Sequence, residues 1–238
     1  MTKLRLTLEH AKQMQARYTP NARIATHLRD KSILMFVAPT STGKTYIMNQ
    51  IASLDSRFAR VPVFTTRESR ADDDPGMFRI LPHDEDHIKN ILSKVETGDV
   101  VQYIVHPSGR LYGSELQDYP SDYNMLATIS DVVDQLSQLS FKQARVVGIV
   151  TDADTWEMWL ASRFPEGNTQ RQQRIREAIH CLEWLLARDP SSLVWVKNIP
   201  GQSEQTAKYV IDTILENKTG DDFSHLAEAM LQKARTLL

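Results

Sequence analysis

Along the chain, short apolar runs alternate with longer stretches in which apolar residues recur at helical spacing. Residues 33–37, 62–64, 125–129, 146–150 and 193–196 are nearly continuous in apolar character, as in strands covered on both faces. Residues 46–54 place Ile47, Ile51 and Leu54 on one helical face, and residues 171–188 do the same with Ile175, Ile179, Leu182 and Leu186. A third helix is predicted over 204–217, with Ser203 as N-cap and Gly220 soon after its end. The tail from Asp222 predicts a last docking helix through Phe223, Leu226, Met230 and Leu237. Strands that alternate with helices pair in parallel through right-handed crossovers, so the expected fold is a three-layer α/β domain with a parallel central sheet.

Two regions interrupt this alternation. Residues 65–122 are rich in charge, Pro, Gly and Tyr and suit a small excursion from the sheet, and residues 163–174 form a polar, arginine-bearing segment between two helices. Residues 1–30 precede the first strand as an N-terminal extension, with a helix over 4–18 and a break at Pro20, and the main domain is expected over 31–238.

Composition narrows the class of partner. With 238 residues, 41% of them hydrophobic, the chain can bury a substantial core, as one elaborated domain or one with mobile inserts. Lys+Arg 28 against Asp+Glu 30 leaves a net charge of −2, so no nucleic-acid partner is expected, although a local basic cleft stays open. The single cysteine, Cys181, sits in an apolar helical stretch and reads as packing, which points to a cytoplasmic protein without disulfides. Met1-Thr-Lys-Leu-Arg does not open a signal peptide and no apolar run reaches membrane-spanning length, so no membrane partner is expected.

The chemistry begins at 37-VAPTSTGKTYIMNQI-51, where a hydroxyl-rich, lysine-bearing loop separates a strand from a helix. A strand that ends, a loop that offers backbone N–H groups and a helix that presents its positive dipole end together hold polyphosphate. The pattern A-x-x-x-x-G-K-T assigns Ala38, Thr40, Ser41, Thr42, Gly43, Lys44 and Thr45 to phosphate binding. Lys44 would reach the β- and γ-phosphates, and Thr45 would hold Mg²⁺. The implied ligand is ATP with Mg²⁺, on a loop whose usual first glycine is Ala38. The alternative is a polar strand-to-helix turn with a capping threonine.

Further on, Arg67 and Arg70 stand three apart in 61-VPVFTTRESRADDD-74, where two guanidinium groups would clamp a second phosphate. A solvated basic turn neutralised by Asp72-Asp73-Asp74 is the competing reading. In 108-SGRLYGSEL-116, Tyr112 and Ser114 flank Gly113 and offer two hydroxyls with close backbone approach, or else an ordinary glycine turn with a packed tyrosine.

In this order and spacing, Gly43-Lys44-Thr45, Thr65-Thr66-Arg67-Glu68-Ser69-Arg70 and Tyr112-Gly113-Ser114 resemble the guanylate kinase family. Residues 146–164 are similar to that family's strand, loop and helix ending in a lid arginine, matched by Arg163. Arg174 resembles the start of the following helix, and 193–211 the last strand with its asparagine, Asn198. The resemblance spans about 31–215. It implies a mobile nucleoside monophosphate kinase with an acceptor-binding subdomain at about 65–122 and a lid at about 163–174. By the same resemblance Thr66, Arg67, Arg70, Gln102, Tyr112 and Ser114 hold the acceptor, Lys44, Arg163 and Arg174 stabilise the transferring group, and Asn198 serves the ATP side. GMP is the default acceptor.

The residues that would read guanine depart from the family. Val63 stands where the family has serine, and Tyr103 or Gln102 where it has glutamate; 126-LATISD-131 replaces an acidic strand end. Asp131 is there expected to be a helix cap. The phosphate-handling residues are kept while the base-reading ones are not, so a kinase for another phosphorylated small molecule and a non-catalytic interaction module both stay open. His83, His87 and His106 lack zinc-site spacing, 83-HDEDH-87 reads as a helix start, and Trp156, Trp159, Trp184 and Trp195 read as core.

Overall fold

The computed structural model describes residues 3–70, 73–106 and 108–238. In chain order the helices are α1 (Lys3–Gln15), α2 (Ala22–Leu28), α3 (Lys44–Leu54), α4 (Glu85–Glu96), α5 (Ser130–Ser137), α6 (Ala153–Arg163), α7 (Arg171–Leu186), α8 (Ser203–Leu215) and α9 (Ser224–Thr236). The strands are β1 (Ser32–Val37), β2 (Phe58–Arg60), β3 (Val63–Thr65), β4 (Phe78–Ile80), β5 (Val100–Val105), β6 (Leu111–Glu115), β7 (Tyr123–Ala127), β8 (Gln143–Val150) and β9 (Leu193–Lys197). They build a five-stranded sheet in the order β2-β7-β1-β8-β9 and a four-stranded sheet in the order β4-β3-β6-β5. The chain divides into two compact units.

One unit comprises 33–58, 125–133 and 144–238 and carries the parallel central sheet of an α/β fold. Every residue of β1 is buried, so side chains pointing both ways are covered, as the continuous apolar run predicts. β8 pairs in parallel with β9, Val146 beside Leu193 through Val150 beside Lys197. Gly148 lies inside this pairing, where a Cβ would come within 3.1–3.2 Å of Leu185, Leu193 and Trp195. Helix α3 packs against α8, and α9 against both α6 and α7. Ile47, Met48 and Ile51 of α3, Ile175, Ala178, Leu182 and Leu185 of α7, and Ala227, Met230, Leu231 and Ala234 of α9 are buried. Burial of each large aliphatic side chain stabilises the unit by about 1.5–3 kcal/mol. Leu54, predicted on the α3 face, is the last residue of that helix and is exposed.

Two caps differ from expectation. Ser203 is the first residue of α8 and makes no capping bond; Gln202 precedes it. Asp131 lies within the first turn of α5, where it accepts from Ser130 Oγ at 3.0 Å and the helix dipole favours its charge.

The other unit comprises 1–32, 59–124 and 134–143. Residues 62–64 do not join the central sheet. Their strand, β3, pairs antiparallel with β6 and parallel with β4, while β2, which the apolar pattern missed, takes the central sheet's edge. Strands of three residues show too little alternation to identify a partner. Phe64, Tyr103 and Leu111 form a core with Ala11 of α1 and Ile88, Ile91, Leu92 and Val95 of α4. Asp84 caps α4, accepting from His87 N at 2.9 Å. Within this unit residues 3–32 are an integral part. Tyr103 donates to the Ala11 carbonyl at 2.9 Å, Asn21 N to the Gly98 carbonyl at 3.0 Å, and the Tyr18 hydroxyl accepts from Val100 N at 3.2 Å. Burial pushes the Tyr18 phenol up to about 12. After the break at Pro20, α2 follows, which periodicity did not predict.

Candidate functional site

The loop between β1 and α3 turns through two left-handed residues, Ser41 (φ 63°) and Gly43 (φ 81°). Such a conformation costs a non-glycine residue about 1–2 kcal/mol, so Ser41 is strained. Glycine at 43 has two causes: the positive φ, and Asn198 Nδ2, which a Cβ would meet at 2.4 Å. Three side-chain bonds hold the loop's carbonyls. Thr42 Oγ1 donates to Pro39 O at 2.9 Å, Trp156 Nε1 to Thr40 O at 3.0 Å and Asn198 Nδ2 to Thr42 O at 2.8 Å. Asn198 is itself fixed, its N donating to Val150 O at 2.8 Å and its carbonyl accepting from Thr151 Oγ1 at 2.8 Å.

The loop's amides are left without acceptors among the described residues. Among the described residues, no amide from Thr40 to Gly43 donates to a protein acceptor, and Ser41 Oγ is buried with no hydrogen-bond partner. Lys44 is half-buried and pairs with no carboxylate among the described residues. Desolvation holds its ammonium below the ordinary lysine value, against a small opposing effect of Cys181, whose thiol burial pushes up to about 12. Thr45 is exposed on the first turn of α3, and Ala38, at the end of β1, is half-buried. Unpaired amides at a helix N-terminus, an orphan hydroxyl and an uncompensated ammonium suit a polyanion. Among the described residues, no group of three or more His, Cys, Asp and Glu is placed to hold a metal.

Arg163 and Arg174 gather on one aromatic ring. Their guanidinium carbons lie 5.5 and 5.7 Å from the centroid of Phe164, the residue that follows α6. Arg174 also donates to Glu177 at 2.8 Å, with its Nε buried and unpartnered. Arg171 donates to the Phe164 carbonyl at 2.7 Å.

The remaining residues singled out by sequence lie in the other unit, around β3, β5 and β6. Thr65 stands opposite Tyr112, and Gln102 opposite Ser114, so alternation places these four on one face. Phe64, Gly113 and Tyr103 lie on the other. Gly113 is required there because a Cβ would fall 2.3 Å from the Phe64 ring and 2.7 Å from Gln102 O; it makes room for the core rather than for a ligand. Thr66 Oγ1 accepts from Leu111 N at 3.0 Å and bonds His83 Nδ1 at 3.1 Å. Burial, then Arg110, holds His83 below the usual histidine value.

Arg67 is buried and already engaged. It donates to Asp73 through both terminal nitrogens and to Glu68 O at 2.7 Å, and its guanidinium lies 4.4 Å over the Phe78 ring. The Asp73 bond raises the Arg67 pKa, with a smaller contribution from Tyr112, and correspondingly lowers that of Asp73. Asp73 also accepts from Arg70 N at 2.9 Å. The Arg70 side chain is exposed and has no partner among the described residues. Of the acidic run, Asp74 pairs with Arg60, and Asp72 lies outside the described residues. Gln102 is buried, donating to Ser114 Oγ at 3.3 Å with its Oε1 unpartnered; Ser114 bonds the buried Tyr119 hydroxyl at 2.7 Å.

No protein-family model and no curated sequence matches the chain. Among solved structures, the guanylate kinase of Anaplasma phagocytophilum is similar with a TM-score of 0.47 and 10% identity, over 80% of this chain and 87% of that one. A likeness this distant carries no statement about activity, and the functional reading rests on the residues themselves.

Sequence reasoning missed three participants. In sequence Asp73 reads only as a neutralising charge, although an aspartate six residues after an arginine within a turn is within reach of its fork. Phe164 had its signal in the arginines around it. Trp156 had none, since an indole on a helix reads as core whatever its N–H does.

Proposed function

We propose that this chain is an ATP-dependent phosphotransferase that acts on a phosphorylated small molecule, a nucleoside monophosphate in the first instance and GMP by resemblance. One observation carries the reading: among the described residues, the amides from Thr40 to Gly43, the Ser41 hydroxyl and the Lys44 ammonium have no protein partners. Thr40, Ser41, Thr42, Gly43 and Lys44 would hold the triphosphate of ATP, and Mg²⁺ beside Thr45 would neutralise charge between the β- and γ-phosphates. A phosphate oxygen of the acceptor attacks the γ-phosphorus as the bond to the β-phosphate oxygen breaks, giving ADP and a diphosphate. Arg163 and Arg174 would stabilise the charge on the transferring group, and Arg67, Arg70 and Tyr112 the acceptor's phosphate. Such transfer needs positioning and electrostatics rather than a covalent residue.

A second reading, a kinase of the same build for an acceptor other than GMP, is favoured by Gln102 and Val63. A glutamine offers one acceptor oxygen where guanine's edge presents two N–H donors. An ADP-release assay across ribo- and deoxyribonucleoside monophosphates and phosphorylated sugars, with Lys44→Ala as control, decides. Turnover of GMP supports the first reading, turnover only of another acceptor the second. No Lys44-dependent turnover with any acceptor would leave a non-catalytic binding module.

A further inference from the structure

We infer that Trp156 and Asn198 are positioning residues that aim the phosphate loop's amides, and that Trp156 ties this loop to the helix carrying Arg163. The inference rests on the donor-site reading above.

In a trans peptide the carbonyl of one residue and the N–H of the next point in opposite directions. Anchoring a carbonyl therefore aims the following amide. Thr42 Oγ1, Trp156 Nε1 and Asn198 Nδ2 anchor the carbonyls of Pro39, Thr40 and Thr42. They thereby direct the amides of Thr40, Ser41 and Gly43 away from those anchors, and none of these amides has a protein acceptor among the described residues. Ser41 and Gly43, the residues that follow the two anchors supplied from outside the loop, are the ones with positive φ. Alternation of this kind makes an anion-binding nest. The buried, unpartnered Ser41 hydroxyl is an independent sign that the nest is built for a ligand.

The anchors come from distant parts of the unit. Trp156 is fully buried in α6, whose last residue is Arg163, and Asn198 follows β9. With Ala38 where the usual first glycine would stand, the loop's shape depends on these outside bonds more than on intrinsic backbone freedom. Through the indole N–H, a shift of α6 would be felt at Thr40.

The test compares the intact protein with Trp156→Phe, which keeps a ring and removes the donor, and Asn198→Asp, which keeps the shape and sets an oxygen against Thr42 O. One lost anchoring bond is expected to raise the KM for ATP about five- to tenfold, with the acceptor's KM little changed. A lowered melting temperature with an unchanged KM for ATP would make both residues ordinary packing and overturn the inference. Should Trp156→Phe fail to fold, the indole ¹⁵N–¹H signal of Trp156 is followed in the intact protein, assigned with Phe variants of the other tryptophans. A shift on titration with Mg·ADP or tripolyphosphate supports the inference; a signal that stays in place refutes it. If the intact protein binds no Mg·ATP, the donor-site reading has failed, and that is seen before any variant is made.

Discussion

Each compact unit carries a cluster suited to anions, and the two are prepared in opposite ways. In the unit with the central sheet, the 38–45 loop has its carbonyls anchored and, among the described residues, its amides from Thr40 to Gly43 left without acceptors, so under the proposed reading a polyphosphate would meet groups already aimed. In the other unit, the Arg67 fork is filled by Asp73 and stacked on Phe78, so a phosphate must compete with a carboxylate that belongs to the chain. The same charge chemistry is left without protein partners in one place and self-satisfied in the other. Donors without protein partners can bind a ligand without exchanging partners; a filled fork makes binding conditional on a local change of partners.

The sharpest way to break this comparison is to remove the ammonium of the 38–45 loop. Lys44→Met is expected to lower phosphoryl transfer by about 10²–10³-fold while raising the melting temperature at neutral pH. The folded-state pKa of Lys44 lies below its unfolded value, so the charged form costs stability at low and neutral pH. That cost fades as pH rises through the folded-state pKa toward the ordinary lysine value. ATP binding favours the charged form, so its stabilising shift in melting temperature should shrink over the same pH window in the wild type and not in the variant. Next in size is Gly43→Ala. The positive φ and the approach to Asn198 Nδ2 together are expected to cost at least about 1–2 kcal/mol, and the KM for ATP should rise tenfold or more if the loop's shape is what binds.

The filled site is tested by Asp73→Asn. Removing the carboxylate leaves a buried guanidinium uncompensated, so the variant should melt lower by about 2–3 kcal/mol of stability, and phosphate or acceptor should restore part of the loss. Its KM for the acceptor should fall. A rise would mean that Asp73 serves to aim Arg67 rather than to compete for it. The smallest effect is expected from Gln102→Glu, which puts a second acceptor oxygen in place of the Nε2 that donates to Ser114 Oγ, beside an Oε1 with no partner. The ratio of GMP to IMP turnover should rise about tenfold, the size of one well-placed polar contact.

The central sheet's strands β1, β8 and β9 were legible because continuous apolar runs can only be buried on both faces, and α3 and α7 because their period is unmistakable. The 38–45 loop stood out as a candidate because its residue types have no use in a core. What escaped were short or relational features. Strands β2 and β3 are too short for alternation to name their partners, α2 is a single capped helix of seven residues, and the leader's place in its unit depends on the Tyr103 and Tyr18 hydroxyls reaching backbone far away in sequence. Within the site, the residue types were readable but their engagement was not. Nothing in Arg67 foretells that Asp73 fills it, and nothing in Trp156 foretells that it holds Thr40.

The central claim, that the 38–45 loop is a ready site for the triphosphate of ATP, is tested most directly by calorimetric titration with a non-hydrolysable ATP analogue and Mg²⁺. One site in the wild type, weakened at least about thirtyfold in Lys44→Met, is the predicted result. Equal binding by the two proteins, or none by the wild type, would contradict it.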